Sequence, residues 1–494
     1  MMLIYCNFKP EQLYNSLHEL IRLAFPGCRI IVGSNPQEEV GIQINMAWHE
    51  NTLCIRGDIK AKDKETLKSE KHALGDQEEL SQEGKWLARR FTYHLLCEHT
   101  GRNINPYGLL TGVRPVKLVH RLLDEGFSPD KIEQILQKDY MLQADKAALL
   151  LEVALNNRAF LLSREQARKS LSVYIGVPFC PSRCYYCSFP AAVLSNYELQ
   201  LKPFLRALHY EMEKIGVYLQ EQGIAIQNIY IGGGTPTVLS EADLEALLDL
   251  LQERFISPLT QEITVEAGRP DTLSPTKLML MKQAGVNRIC VNPQSMNDST
   301  LKRIGRNHDQ KGVLRSVEWV RTAGIKKLNM DLIVGLPGEG IPEYLYTAEK
   351  ILELDPDNVT VHTLARKRGS LMAEAEATGS KEHQVSQVQK GVELFSACLR
   401  ADDYQPYYMY RQKYMSAAME NIGYAQPGDE CIYNIQMMEE RQTIIGLGGG
   451  AASKFIRPLD WRLSSFYQPK DPQAYVESIE KLIKRKVDKL WALN

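Results

Sequence analysis

The sequence predicts an α/β protein with a parallel β-sheet, and two features support this prediction. From residue 172 onward, short apolar segments of strand length alternate with longer segments of helical spacing. Glycine-rich, cysteine-rich or polar turns follow these apolar segments. These turns would lie at the carboxyl ends of the strands, where parallel sheets bind their ligands. The six units are fewer than the eight of a complete barrel, so a partial barrel and an open doubly wound sheet both fit.

The predicted strands and helices of this core alternate along the chain. The strands are predicted at 172–177, 226–231, 261–266, 287–292, 327–334 and 358–364. The helices between them are predicted at 195–222, 240–254, 274–284, 311–323 and 341–354. Right-handed crossovers are expected to place these helices on the faces of the sheet.

The segments on either side of the core have other patterns. We therefore predict an accessory α+β domain over 1–170, the core over 171–375 and a C-terminal α+β subdomain over 376–494. Within the first, the charged segment 60–84 predicts an exposed loop or a polar helix. Within the last, 443–453 is predicted to be a glycine-rich turn.

Composition and charge narrow the classes of function. The chain has 494 residues and a net charge of −1, so bulk charge gives no reason to expect a nucleic-acid partner. It contains no apolar run of 18 residues and no signal peptide, and we expect no transmembrane segment. Apart from one cluster of three, its ten cysteines are scattered singly. This usage favours a reducing cytoplasm over a disulfide framework.

The most informative motif is the cluster Cys180, Cys184 and Cys187, which follows the first core strand. Three local thiolates suit an iron–sulfur cluster, which then has either a distant fourth ligand, such as Cys398 or Cys431, or an open iron. A structural zinc site and buried free thiols are the alternatives, although no fourth zinc ligand lies nearby in the sequence. An open iron can chelate the amino and carboxylate groups of S-adenosylmethionine (SAM).

Polar groups also end the next predicted strands. The glycines of Gly232-Gly-Gly-Thr-Pro-Thr237 permit positive φ angles, in a simple turn or in a loop that receives a cofactor's amino group. The carboxylate of Glu266 suits a ribose or an amine. Gln294 supplies an amide after the fourth strand, and the guanidinium of Arg306 suits a carboxylate. Asp331 lies inside an apolar strand, so a ligand or a cationic partner is expected.

Two features near the sixth predicted strand each have two possible roles. His362 is either a proton donor or a satisfied core histidine. The consecutive residues Arg366, Lys367 and Arg368 either hold substrate carboxylates or form a solvated charged run.

Together these residues resemble a known family. In order, the motifs of radical SAM enzymes are matched by Tyr174-Ile-Gly-Val-Pro-Phe-Cys-Pro-Ser-Arg-Cys-Tyr-Tyr-Cys187, Gly232-Gly-Gly-Thr-Pro-Thr237, Thr264-Val-Glu-Ala267, Pro293-Gln-Ser295 with Arg306, and Asp331-Leu-Ile-Val-Gly-Leu-Pro337. Within that superfamily the sequence resembles the oxygen-independent coproporphyrinogen III dehydrogenases (oxidases), and its long N-terminal extension resembles the HemZ-type branch. The motifs cover about residues 170–370.

The resemblance implies a partial (β/α)6 TIM-like barrel, with a [4Fe–4S] cluster on Cys180, Cys184 and Cys187 and no catalytic residue beyond the cluster and SAM. It implies one SAM molecule on the open iron and, as in the family's dehydrogenases, a second one. The positions that match contacts to the first are Tyr174, Gly233 and Glu266. The positions that match contacts to the second are Tyr186, Gly234, Thr235, Gln294, Arg306, Asp331 and Ala365, with Ala452 as a further cofactor contact.

The resemblance also implies a reaction and its partners. SAM would be cleaved to methionine and a 5′-deoxyadenosyl radical, and hydrogen abstraction from a propionate would lead to loss of CO2 and a vinyl group. Two such steps convert coproporphyrinogen III to protoporphyrinogen IX. The expected partners are this tetrapyrrole and an electron donor such as flavodoxin or ferredoxin.

The sequence departs from its relatives at three places. The dehydrogenases usually have a His where this chain has Gly176, and Asn-Pro where it has Gly268-Arg269. The related haem chaperones carry His-Asn-x-x-Tyr-Trp near the equivalent of Tyr433-Asn-Ile-Gln-Met-Met438, of which only the Asn remains. A haem chaperone and a radical enzyme acting on another tetrapyrrole are therefore the alternative functions.

Overall fold

The chain folds into two compact units, Met1–Leu151 and Glu152–Asn494. The computed structural model describes residues 2–33, 40–49, 51–61, 64–73, 81–187, 192–365, 381–412 and 419–492, with the side chains of 381–385 left out. The three domain boundaries expected from the sequence stay predictions. In the described part of the chain, no helix is both long and apolar enough to cross a membrane.

The first unit contains a five-stranded mixed sheet. Its strands are β1 (Leu3–Lys9), β2 (Arg29–Val32), β3 (Val40–His49), β4 (Thr52–Ala61) and β5 (Lys64–Ala73), in the spatial order β2-β1-β3-β4-β5. Its helices are α1 (Tyr14–Ala24), α2 (Gln82–Thr100), α3 (Val116–Asp124) and α4 (Pro129–Lys138), and α5 (Ala144–Asn157) crosses the unit boundary. One apolar core joins the sheet to α1 and α2.

The expectation of a loop or polar helix over 60–84 is wrong where that segment is described. Strand β5 pairs with β4 over ten residues, from Lys64 opposite Ala61 to Ala73 opposite Thr52. A strand at the edge of a sheet needs few apolar side chains, since its backbone hydrogen bonds hold it and charges protect the open edge. The many charged residues of this segment therefore obscured the strand in the sequence pattern.

The second unit is an α/β structure with an eleven-stranded sheet. Its strands are β6 (Ser170–Val177), β7 (Phe179–Cys180), β8 (Ala192–Val193), β9 (Ala225–Gly233), β10 (Glu262–Glu266), β11 (Arg288–Cys290), β12 (Lys327–Val334), β13 (Asn358–Thr363), β14 (Gln405–Arg411), β15 (Glu420–Ala425), β16 (Ile444–Gly448), β17 (Ala452–Arg457) and β18 (Arg462–Tyr467). The large sheet has the order β14-β15-β13-β12-β11-β10-β9-β6-β16-β17-β18, and β7 pairs with β8.

Helices alternate with the parallel strands of this unit. They are α6 (Arg164–Lys169), α7 (Leu194–Glu221), α8 (Glu241–Phe255), α9 (Pro275–Gln283), α10 (Asp298–Arg303), α11 (Gln310–Thr322), α12 (Ile341–Leu352), α13 (Lys381–Ala401), α14 (Ile432–Glu439), α15 (Pro472–Glu477) and α16 (Ile479–Trp491). Serine or aspartate side chains cap several of them, as Ser240 does for α8 by accepting from the amide of Asp243.

The predicted six-stranded parallel core is confirmed, and it does not close into a complete barrel. Strands β6, β9, β10, β11, β12 and β13 are consecutive neighbours, and all pair in parallel. C-terminal strands extend the sheet at both sides, with β16 parallel to β6 and β15 antiparallel to β13. The expected glycine-rich turn at 443–453 therefore contains one strand and the start of another.

A buried ion pair fixes the C-terminal helices to this sheet. Glu211 of α7 and Lys486 of α16 have wholly buried side chains, and their oxygen and nitrogen atoms lie 2.5 Å apart. The same carboxylate accepts hydrogen bonds from Gln468 (2.6 Å), from the hydroxyl of Tyr475 (2.7 Å) and from the amide of Gly448 in β16 (2.9 Å). Such a pair is tolerated in a dry interior because its hydrogen-bonding groups are satisfied.

A second buried pair lies at the amino ends of the strands. Arg288 donates to Glu262 over 3.2 Å and to the carbonyl oxygens of Asp429 and Glu430. The Glu262 carboxylate also accepts from the first amides of α14, a favourable position for an anion at a helix N-terminus. This pair anchors α14 to β10 and β11.

Replacing Lys486 with Ala should destabilise the protein by about 3 to 5 kcal/mol, because Glu211 would remain buried with an uncompensated charge. Urea unfolding of the wild type and the variant measures this loss. The double variant E211Q/K486M removes both charges at similar volume and should recover most of the stability. A K486A variant that unfolds at the wild-type midpoint would contradict the assigned role of the pair.

Candidate active site

The carboxyl ends of the core strands surround one cavity of about 270 Å³. The structure brings together all but two of the residues predicted to bind cofactors. Those that line the cavity are Cys180, Cys184, Cys187, Tyr186, Gly233, Gly234, Thr235, Glu266, Gln294, Arg306, Asp331 and Ala365. Tyr174 and Ala452 do not line it.

The glycine-rich loop supports the first cysteine. After β9, the amides of Gly234 and Thr235 donate to the carbonyl oxygens of Val177 (2.8 Å) and Phe179 (2.7 Å). The hydroxyl of Thr235 lies 3.5 Å from the sulfur of Cys180. A Cβ atom on Gly234 would overlap the Phe179 carbonyl oxygen and lie 3.0 Å from that sulfur. The loop therefore requires glycine at this position.

All three thiols line the cavity. Among the described residues, no three Cys, His, Asp or Glu side chains are placed to hold a single metal ion. This argues against a structural zinc site, whose ligands surround one ion. Cys431 is no fourth ligand in this arrangement, because its sulfur donates to Glu262 at the opposite end of β10, and Cys398 does not line the cavity.

Two arginines hold the cysteine loop against the strand ends. Arg306 donates to the carbonyl oxygen of Gly268 (2.8 Å) and to the hydroxyl of Tyr186 (2.6 Å). Arg269, which the sequence did not single out as a site residue, donates to the hydroxyl of Ser182 (3.0 Å) and lies 3.5 Å from the sulfur of Cys184. Its place three residues after Glu266, at a departure from the family's motif, was the signal that could have revealed it.

Glu266 is held by its neighbours on β9. The hydroxyl of Tyr230 donates to one carboxylate oxygen over 2.7 Å, and the amide of Gly233 donates to the other over 3.2 Å. Burial raises the pKa of Glu266 to about 7, and the nearby charge of Asp331 adds to the rise. At neutral pH this carboxyl is therefore poised between its two protonation states.

Tyr174 does not line the cavity and packs against two other tyrosine rings. It stacks on Tyr230 and on Tyr433 of α14, with ring centroids 6.1 Å away in both cases, and the latter two are 4.5 Å apart. The three tyrosines form a layer beneath Glu266, which Tyr230 contacts directly. Stacked rings of this kind stiffen a core through apolar contact.

Asp331 has polar partners, as expected for a carboxylate inside an apolar strand. The amide of Asn329 donates to it over 2.9 Å, and Nε2 of His362 lies 3.7 Å from its second oxygen. Burial raises the pKa of Asp331, but the interactions with His362 and Asn329 outweigh this and hold it below its usual value. The other nitrogen of His362 is 3.1 Å from the hydroxyl of Tyr410. His362 lines the cavity, and Arg366, Lys367 and Arg368 lie outside the described residues.

Two amides that line the cavity have unsatisfied side-chain oxygens. The side-chain oxygens of Asn292 and Gln294 are buried, and neither has a hydrogen-bond partner among the described residues. Gln294 also has a φ of 71°, an uncommon left-handed conformation that is often found at functional sites. Buried acceptors without donors are costly, which indicates that a ligand with N–H or O–H groups completes them.

Gly176 does not open onto the cavity. A Cβ atom there would lie 3.0 Å from the carbonyl oxygen of Gly449 and 3.5 Å from the side chain of Ala451. Both neighbours belong to the turn between β16 and β17. A larger side chain at this position would need a backbone shift of the C-terminal strands.

Comparison with known proteins now adds to this geometry. Residues 174–351 match the model of the radical SAM superfamily. The chain is 36% identical over 487 residues to the oxygen-independent coproporphyrinogen-III oxidase-like protein HemZ of Bacillus subtilis, covering 97% of this chain and 95% of that protein. The chain belongs to the HemZ-type branch of the radical SAM superfamily.

Other members of the superfamily resemble shorter parts of the chain. The haem chaperone HemW of Bacillus subtilis is 38% identical over 198 residues, 39% of this chain and 50% of the chaperone. The structure of coproporphyrinogen III oxidase (HemN) from Escherichia coli superposes with a TM-score of 0.52 at 23% identity, over 67% of this chain and 73% of that one. The latter match confirms the partial-barrel fold.

Radical SAM proteins use a [4Fe–4S] cluster and SAM, and these are the cofactors of this chain. The residues at the strand ends fit both groups. Three thiols lie within eight residues, a glycine leaves room beside the first sulfur, and two amides of the lining have buried oxygens that no described residue satisfies. Carboxylates are present for the positive charges of SAM. Which of these residues contact which cofactor stays a prediction.

Replacing Gly234 with Ala should lower the affinity for the cluster about tenfold or more, because the added Cβ displaces Phe179 and Cys180. Iron content and visible absorbance after anaerobic reconstitution measure the effect. Gly312 on α11 has ordinary space around it, so G312A is the matched control and should load normally. Full iron content in G234A would contradict the predicted site.

Binding of SAM should weaken as the pH falls below about 7, because Glu266 then takes up a proton and loses the charge that attracts a cation. Far below that pH the dissociation constant should rise about tenfold per unit. Calorimetric titration of the reconstituted protein from pH 6 to 8 measures this slope. The E266Q variant corrects for titration of the ligand itself, and an equal slope in both proteins would exclude Glu266.

Proposed function

We propose that this protein is a radical SAM enzyme of porphyrin metabolism that decarboxylates the propionates of coproporphyrinogen III to vinyl groups. The observation that carries this proposal is the convergence of the predicted cluster and cofactor residues around one cavity. Membership of the HemZ-type branch supports the choice of a tetrapyrrole, since the relatives named above are a coproporphyrinogen oxidase-like protein and a haem chaperone.

The cluster and SAM, when bound, supply one-electron chemistry that removes a hydrogen atom from an unactivated carbon. The protein's own groups bind and orient the cluster, the SAM molecule and the substrate. Arg269 and Arg306 hold the cysteine loop, while Glu266 and Asp331 offer carboxylates to the cationic and hydroxyl groups of the cofactor. For each propionate, the substrate loses one hydrogen atom, CO2 and one electron, so a one-electron acceptor is also required.

The cations at the cavity suit a substrate with several carboxylates. Arg183 is exposed and lines the cavity, whereas the buried guanidinium groups of Arg269 and Arg306 are directed at the cysteine loop and strand ends. We propose that propionates enter on the Arg183 side. The electron donor is a low-potential one-electron carrier such as flavodoxin or ferredoxin. All ten cysteines lie in the described residues and none is in a disulfide, which suits a reducing cytoplasm.

The haem chaperone alternative has less support from the structure. The position that matches the chaperone motif's His is Tyr433, which is 3% exposed and stacked between other rings. A buried phenol in this layer offers no accessible haem ligand. Gly176, which replaces the dehydrogenases' His, packs against the turn between β16 and β17 and is not among the residues that line the cavity.

The decisive experiment is an anaerobic assay of the reconstituted protein with coproporphyrinogen III, SAM, a low-potential reductant and a one-electron acceptor. We expect the loss of one CO2 per vinyl group formed, together with one 5′-deoxyadenosine. Mass spectrometry of the porphyrin and of the nucleoside measures both. The C184A variant is the control and should give neither product, because it lacks a predicted cluster ligand.

Two outcomes would overturn the proposed substrate. SAM cleavage that is stimulated by another tetrapyrrole, with coproporphyrinogen III unchanged, would assign a different reaction to the same site. Stoichiometric, tight haem binding without decarboxylation would favour the chaperone.

A further inference from the structure

The guanidinium of Arg269 is buried directly beside the predicted cluster. Its side chain is 4% exposed. Its Nη1 lies 3.5 Å from the sulfur of Cys184 and 3.4 Å from the carbonyl oxygen of Ser182, and its Nη2 donates to the hydroxyl of Ser182 over 3.0 Å. Of the cysteines on this loop, Cys184 is the most buried. A cationic donor therefore faces a thiolate ligand in a place that water reaches poorly.

Asp271 holds this arginine in position from the other side. Nε and Nη2 of Arg269 each lie 3.0 Å from one of the two carboxylate oxygens of Asp271. This two-point contact fixes the plane of the guanidinium and leaves Nη1 directed at Cys184. Asp271 is itself 20% exposed, so solvent screens its charge better than that of Arg269.

The position of this group matters because reduction adds one negative charge to a cluster. Hydrogen bonds to cluster sulfurs, net charge and solvent exposure set the potential of iron–sulfur centres. A positive donor at a cysteine sulfur stabilises the reduced form more than the oxidised form. The hydrogen bonds of Arg306 go instead to the carbonyl oxygen of Gly268 and to the hydroxyl of Tyr186.

We propose that Arg269 is a positioning residue that sets the reduction potential of the cluster through its contact with Cys184, and that Asp271 aligns it. The electron comes from a low-potential one-electron donor and stays on the cluster, so no bond breaks in this step. The inference rests on the cluster-binding part of the proposed function and not on the substrate. A protein that leaves coproporphyrinogen III unchanged still tests it.

The test is a redox titration of the reconstituted full-length protein with dithionite, followed by electron paramagnetic resonance. We expect R269Q to shift the reduction equilibrium about tenfold toward the oxidised cluster, which for a one-electron couple is about 59 mV more negative. R269K keeps a charge without the planar fork and should lie between R269Q and the wild type. Iron content is measured for every sample.

The matched control is the same substitution far from the cysteines. Arg254 at the end of α8 pairs with Glu213 at the surface, so R254Q should leave the potential unchanged. A fully loaded R269Q protein with the wild-type potential would overturn the proposal.

R269K keeps the proposal testable if R269Q fails to hold iron. It retains a positive charge beside the cysteine loop but lacks the planar fork that directs Nη1 at Cys184, so its potential should still be more negative than that of the wild type. A fully loaded R269K protein with the wild-type potential would contradict the proposed role.

Discussion

The close approach of three parallel strands at glycine positions determines the geometry of the site. Gly448 of β16 pairs with Gly176 of β6, and Gly176 pairs with Gly232 of β9. A Cβ atom on Gly448 would overlap the carbonyl oxygen of Gly176, and one on Gly232 would lie 2.8 Å from the carboxylate of Glu266. A side chain at Gly448 would push the neighbouring strand away, and one at Gly232 would displace the carboxylate of Glu266.

This close packing gives a structural reason for glycine at position 176. Read as a departure from the dehydrogenase motif, it suggests a side chain lost from the active site. In the structure the turn after β16 approaches it closely, so the small residue accommodates the strand that the C-terminal segment adds to the sheet. The effect on the reaction is thus indirect, through where that turn lies, since neither Gly176 nor Gly449 lines the cavity.

Buried charges hold the elements that the core motifs do not specify. Glu211 ties α7 to α16 and to the amide of Gly448, and so to the glycine-rich strand itself. Glu262 and Arg288 anchor α14 at the other end of the strands, below the tyrosine layer that supports Glu266. Each carboxylate is fully hydrogen-bonded, which is what makes a buried charge tolerable and gives the contact a defined geometry.

The core strands and the residues at their ends could be predicted from sequence because two local rules apply there. A buried parallel strand is a continuous apolar run, and the residues after it must lie at the ligand edge, as Cys180 and Glu266 do. Strands β5 and β16 could not be predicted this way. The charges of β5 and the glycines of β16 are required by an open edge and by close neighbours, which only the folded chain supplies.

Arg269 was missed for a related reason. A single arginine in a loop usually lies in solvent, and neither its spacing nor its neighbours marks it as buried. Its role depends on a pairing with Asp271 two residues later and on a cysteine 85 residues earlier. Such an arrangement is set by tertiary structure. The sequence shows that Gly268-Arg269 departs from the family's motif, but it does not show that the arginine contacts a cysteine.

The cavity has a polarity that restricts how its ligands bind. Asp331, with a pKa below the usual value, stays charged at neutral pH, whereas Glu266, with a pKa of about 7, is only partly charged. In the proposed reaction, these carboxylates would attract the sulfonium and amine of SAM and would repel the propionates of a tetrapyrrole. A reacting propionate would then have to be neutralised by a cation or held on the far side of SAM. Arg183, which lines the cavity, would supply such a cation.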